Sequence, residues 1–172
     1  MKKDIQYYSF IQGCYLGVVL CLLTIMSYLI DTKLLLSKIN FYSVSFLITQ
    51  FMYTFFSVKK ACLKFDVTTY DFKYYFSICF LILCVALFCY SVCFYFLYNV
   101  FNNNLISDFI SFEYSKCLQI SSCNMSMDDF YQTYLDNYFS MYGQFQSYVF
   151  SLIPCTLYSA IISLLIKLIR SV

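Results

Sequence analysis

The chain has 172 residues, 62% of them hydrophobic and only 12% charged, with mean hydropathy +0.71. Soluble globular chains carry about 25% charged residues, so this surface is not built for water alone and a soluble single domain is excluded. With 11 basic and 9 acidic residues the net charge is +2, and there is no histidine. That balance offers no basic surface for nucleic acid and removes the commonest general base and metal ligand.

Crossing about 30 Å of hydrocarbon takes about 20 helical residues. Four stretches between charges are long enough. The expected spans are about 7–30, 39–58, 74–101 and 148–167, with an outer segment at about 102–147. Backbone groups in lipid are satisfied internally, so each span is read as a helix. The fold class predicted is all-α, a four-helix transmembrane bundle whose long, partly helical outer segment lies between helices 3 and 4, in a single membrane domain over 1–172.

The first span follows Met1-Lys2-Lys3 but far exceeds the about 7–15 residues of a cleavable apolar core and lacks a small-x-small site before Asp31. It is expected to stay as a permanent span. An even number of spans puts both termini on one side. With the amino end inside, inner segments hold Lys2, Lys3, Lys59, Lys60, Lys64, Lys73, Lys167 and Arg170, whereas outer segments hold only Lys33, Lys38 and Lys116. The outer segments also hold Asp31, Asp108, Glu113, Asp128, Asp129 and Asp136, so the positive-inside rule predicts cytoplasmic termini. The 19 Tyr and 20 Phe include Tyr7, Tyr8, Tyr28, Tyr42, Tyr98 and Tyr148 near span ends, where amphipathic rings form interfacial belts.

Small residues recur every fourth position in two spans. The first carries Ser9, Gly13, Gly17 and Cys21; the last carries Ser147, Ser151, Cys155, Ser159 and Ser163. Such stripes let helix backbones approach closely in lipid. The two helices are expected to contact each other, packing within one bundle being the main reading and a homodimer interface the alternative. Pro154 predicts a kink in the last span, where the Ser151 hydroxyl is in reach of a freed backbone group.

Ten cysteines invite a redox or metal reading, but no C-x-x-C occurs and histidine is absent. Neither a metal nor another cofactor is expected. Cys14, Cys21, Cys79, Cys84, Cys89, Cys93 and Cys155 fall in spans, where they serve as small residues in a chain with three Gly. Cys117 and Cys123 lie in the outer segment, and their spacing allows a disulfide if that side is oxidising and the chain turns between them. No charge falls inside a span short of Lys167, the last residue of the fourth; Gln12 and Gln50 are among the most polar candidates there, able to bond across the first two helices or line a small polar cavity.

The outer segment reads as helical in pieces. Ser126 three residues before Asp129 has capping-box spacing. Gln132, Thr133, Asp136, Asn137, Ser140 and Gln144 form a polar stripe beside Tyr131, Tyr134, Leu135, Tyr138 and Tyr142.

Tyr8, Gly13 and Gly17 in the first span, the Lys59-Lys60 linker, the outer helix ending Tyr138-x-x-x-Tyr142, and Pro154 before Lys167 and Arg170 form an ordered layout. It resembles, over essentially the whole chain, the small four-span membrane proteins of Bacteroidetes-type bacteria grouped as domain of unknown function 4199. The resemblance implies the bacterial cytoplasmic (inner) membrane and transfers no catalytic residue. The function expected is a non-enzymatic structural or accessory subunit of a cell-envelope complex, contacting membrane lipid and a membrane-protein partner or a second copy, and not nucleic acid. The alternative is a component that transports a small solute or lipid.

Overall fold

The computed structural model describes residues 3–30, 41–65, 72–101, 104–119 and 125–171. They form six helices and, among the described residues, no strand. We number them α1 (Lys3–Ile30), α2 (Phe41–Lys64), α3 (Phe72–Phe96), α4 (Asn104–Gln119), α5 (Met127–Tyr134) and α6 (Met141–Ser171). Wider π-turns continue α3 over Leu97–Phe101 and α5 over Leu135–Phe139.

Three helical stretches, Lys3–Ile30, Phe72–Phe101 and Met141–Ile169, are long and apolar enough to cross a bilayer. They mark a membrane protein in contact with lipid. The first and third expected spans coincide with the first two of these. The last starts seven residues earlier than its expected Tyr148, because Ser140 rather than the Tyr-rich helix end sets its start. Ser140 is extended (φ −65°, ψ 158°), and its Oγ accepts from Gly143 N at 3.0 Å. Gly143 is needed there because a Cβ would strike the Asn137 carbonyl. The amphipathic stripe expected to run through Tyr142 is therefore broken at Ser140.

The second expected span is the difference of most consequence. Its first residues, 39–40, lie outside the described residues, and the helix that follows, α2, is not among the three apolar candidates. Its polar residues lower its mean hydropathy, but they do not form a wet face. Gln50, Thr54 and Ser57 are buried, while Val44, Leu47, Ile48, Met52 and Phe56 are exposed. A helix on a water-soluble protein has the opposite arrangement.

α3 is the central helix. Gly13 of α1 lies against Ile82 and Val85, and Gly17 against Ala86 and Cys89, so α1 and α3 run in the same direction. α2 runs antiparallel to α1: Gln12 Oε1 accepts from Tyr53 Oη at 2.9 Å, and Tyr8 Oη donates to the Ser57 carbonyl at 3.3 Å. α6 runs antiparallel to α3, with Tyr148 Oη donating to the Cys84 carbonyl at 3.4 Å and Ser163 Oγ in contact with Cys79 Sγ at 3.6 Å.

The two small-residue stripes, expected to meet, instead dock on different faces of α3. The reason is that α3 presents small side chains, Cys79, Ala86 and Cys89, on both faces. Apart from the Ser163 contact with Cys79, the stripe hydroxyls bond within their own helix. Ser9 Oγ, Ser159 Oγ and Ser163 Oγ each donate to the carbonyl four residues earlier, which leaves the surface smooth and self-satisfied. Ser151 Oγ likewise donates to the Tyr148 carbonyl at 2.6 Å, so it is engaged one turn before Pro154.

α4 and α5 form a cap over the far end of α1 and α3. Its core is Leu97, Tyr98, Leu105, Ile106, Ile110, Phe130 and Phe139, with Tyr28 and Phe94 packed against it. Ser126 caps α5 as its spacing predicts, accepting from Asp129 N at 3.2 Å and donating to Asp129 Oδ2 at 2.7 Å. Asn99 joins the two π-turns, its Nδ2 donating to the carbonyls of Tyr95 and Phe139, both at 3.1 Å.

Charge divides along the helix axes. Lys3, Lys64, Lys73 and Lys167 belong to helix termini at one end, where Lys64 Nζ sits 5.7 Å from the Tyr8 ring centre and 5.6 Å from that of Phe65. Exposed Asp108, Asp128, Asp129 and Asp136 belong to the cap at the other. Within the cap Glu113 is buried and bonds Lys116 Nζ at 2.9 Å.

Candidate functional site between α2, α3 and α6

α2 and α6 do not close fully on α3. Between them lie two adjoining chambers that share Phe46, Leu87 and Ser151 as walls. The outer chamber, beneath the cap, has a volume of about 390 Å³ and is floored by aromatic side chains that include Tyr90, Phe94, Phe109 and Phe139. Gln144 and Ser147 add polar groups along its α6 side. The inner chamber has a volume of about 170 Å³ and is lined by Leu47, Leu83, Pro154, Cys155 and Tyr158, with Gln50 on its wall.

The elements explain the gap. Tyr158 Oη reaches across to the Leu47 carbonyl at 2.8 Å and its ring meets Phe51 edge-on at 6.0 Å, so a bulky pair holds α2 and α6 apart. Pro154 faces the space and removes one backbone donor from α6.

The two glutamines singled out in the sequence lie apart. Gln12 is satisfied on the α1 side of α2, where Ser57 Oγ also donates to its Oε1 at 3.4 Å. Gln50 faces α3 and α6. It is only 6% exposed, and its Nε2 has no hydrogen-bond partner. Thr54 Oγ1 and Tyr75 Oη are also buried without a partner, but of these three only Gln50 lines a chamber. The burial of Gln50 was not readable from the sequence, because period alone does not say which side of α2 faces a neighbour.

Of the other candidate residues, Ser9, Gly13, Gly17 and Cys21 sit on the α1–α3 contact, where Cys21 Sγ donates to the Cys89 carbonyl at 3.8 Å. Cys155, Ser159 and Ser163 are buried on the face that α6 turns to α3, and Ser151 lines both chambers. Cys117, in the last turn of α4, is disulfide-bonded, whereas the eight other described cysteines are free thiols. Cys123 lies outside the described residues. Among the described residues no three His, Cys, Asp or Glu side chains converge as a metal site.

Residues 12–168 match the model of a family described as protein of unknown function (DUF4199). The chain belongs to this family. The match takes in all of α2 to α5 and most of α1 and α6, so both chambers and the cap lie within the family's shared region. No curated protein matches the chain. No solved structure matches it either.

The cap carries its own pH sensitivity. Burial holds the Tyr134 phenol above its ordinary value of 10.0, and the Glu113 carboxylate, then Tyr138, push it the same way. The folded cap therefore keeps this proton more tightly than the unfolded chain. Its contribution is fully present below pH 10.0 and is lost as pH rises through the raised value. Hydrogen exchange of α4 and α5 amides is expected to quicken above that pH in the native chain, and less so in Tyr134→Phe. Equal alkaline loosening in both would assign it to another group.

Proposed function

We propose that this chain is a four-span protein of the bacterial cytoplasmic membrane, with both termini in the cytoplasm and the α4–α5 cap outside. Its role is non-enzymatic, as a structural or accessory subunit of a cell-envelope complex. The observation that carries the reading is the inside-out α2, polar toward its neighbours and apolar outward, which suits a lipid-facing helix and supports a fourth span despite its modest hydropathy. The division between a lysine-rich end and an acidic cap supports the orientation, as does the disulfide-bonded Cys117 on the acidic side, since such bonds persist where the compartment is oxidising.

The cap supplies the surface for a partner. Asp128, Asp129 and Asp136 are exposed on α5 and the π-turn that follows it, and suit a basic protein surface. Purification of the tagged chain from its native membrane in mild detergent, followed by mass spectrometry, tests the reading. A partner is expected at fixed stoichiometry, weakened when Asp128, Asp129 and Asp136 are changed to Asn. A partner-free monomer would overturn the subunit role. The second reading, a component that carries a small apolar compound or lipid, is favoured by the two chambers.

A further inference from the structure

We infer that the chambers between α2, α3 and α6 form a binding site for a neutral, membrane-soluble ligand that carries a hydrogen-bond-accepting carbonyl on an apolar body. The site rests on geometry that holds whether or not the ligand is carried across the membrane, and whether or not the cap binds a partner.

The argument starts from Gln50. An amide N–H without a partner, on a residue only 6% exposed, is costly in an apolar setting, and the Gln50 side chain that carries it forms part of a chamber wall. The amide is level with Leu83 and Leu87, near the middle of the 30-residue α3 stretch, where a bilayer's own chains offer no acceptor. An occupant that satisfies it must bring its acceptor into the apolar interior. A carbonyl does this without a net charge, which suits a lining that holds no Asp, Glu, Lys or Arg.

Volume sets the shape. An apolar cavity of about 150 Å³ admits one benzene ring, and the inner chamber, at about 170 Å³, is of that size. The larger outer chamber, lined by Tyr90, Phe94 and Phe139, then receives the apolar remainder. Two membrane compounds share this chemistry, a prenylated quinone with its ring carbonyl inward and a neutral glyceride with an ester carbonyl inward. The Gln50 amide donates to either.

The test uses the full chain in phosphatidylcholine nanodiscs. A short-tailed ubiquinone, dioctanoylglycerol and dodecylbenzene, which has no carbonyl, are titrated separately, with the shift in Tm as readout. One of the two carbonyl compounds is expected to saturate, and which one does so identifies the source. Gln50→Leu is expected to weaken that compound about tenfold, the worth of one buried hydrogen bond, while leaving dodecylbenzene unchanged. The ligand-free Gln50→Leu protein is expected to melt at or above the native Tm, because an unpartnered amide has been replaced by an apolar group. Leu87→Phe, which fills the wall common to both chambers, is expected to abolish saturation by a route independent of the amide. The inference is overturned if neither carbonyl compound saturates, if Gln50→Leu binds as the native chain does, or if Gln50→Leu lowers the ligand-free Tm, which would make the amide a structural bond.

Discussion

Replacing Gly13 with Leu is expected to undock α1 from α3. A Cβ at Gly13 would lie 2.7 Å from Val85 Cβ and 2.9 Å from the Ile82 carbonyl oxygen, so even the first carbon of a side chain meets backbone that cannot move aside alone. Overpacking typically costs about 1–3 kcal/mol, and a contact against a helix backbone belongs at the upper end. Between helices in lipid no hydrophobic effect offsets the loss, because association rests on the close approach itself. Gly17 differs in kind. A Cβ there meets the Cys89 side chain, at 2.6 Å from Cβ and 3.3 Å from Sγ, with the Ala86 carbonyl at 3.4 Å. Gly17→Ala is therefore expected to be rescued by Cys89→Gly, and not by Cys89→Ala, which keeps the offending carbon. In a thermal-unfolding double-mutant cycle, the Gly17→Ala/Cys89→Gly pair should be more stable than the sum of its single changes by about 1 kcal/mol. Additive behaviour would show that α1 does not seat on α3 through these positions.

The second large effect is all-or-none. With Cys123 taken as the partner of Cys117, as their spacing allows, a membrane-impermeant maleimide is expected to leave the native chain unlabelled in intact cells, because Cys117 is bonded and the other described cysteines lie in the helical body or at its basic end. Brief treatment with an impermeant reductant should then expose Cys117 to label. A cysteine placed at the basic end by Lys60→Cys should label only after lysis. The reverse pattern, Lys60→Cys labelled in intact cells and Cys117 reached only after lysis, would invert the proposed orientation. Labelling of both in intact cells would exclude four spans, since an odd number of crossings separates the two positions in that topology.

What could be read in the sequence follows from which forces act locally. The long apolar helices α1 and α3 were legible because unbroken runs such as Tyr74–Phe101 leave few alternatives in lipid. The cap of α5 was legible because Ser126 and Asp129 are three residues apart and need no distant partner. The start of α6 was missed: Ser140-x-x-Gly143 is also a local cap signal, but it sits inside a Tyr-rich stripe whose period continues across it. The pairing of the small-residue stripes was beyond the sequence. Each stripe states that a close neighbour exists without naming it, and both found α3. The same limit separated Gln12 from Gln50, since two polar residues on facing helices share a cavity only if the helices turn those faces to each other.

The Asn99 bond between the two π-turns has a thermodynamic consequence. Phe139, whose carbonyl that amide holds, belongs to the core of the cap and also to the wall of the outer chamber. Whatever occupies the chamber therefore acts on the same residue as whatever steadies the cap. Linkage makes such an effect reciprocal: an occupant that steadies the cap by a given factor is itself held more tightly, by that same factor, once the cap is steadied by other means.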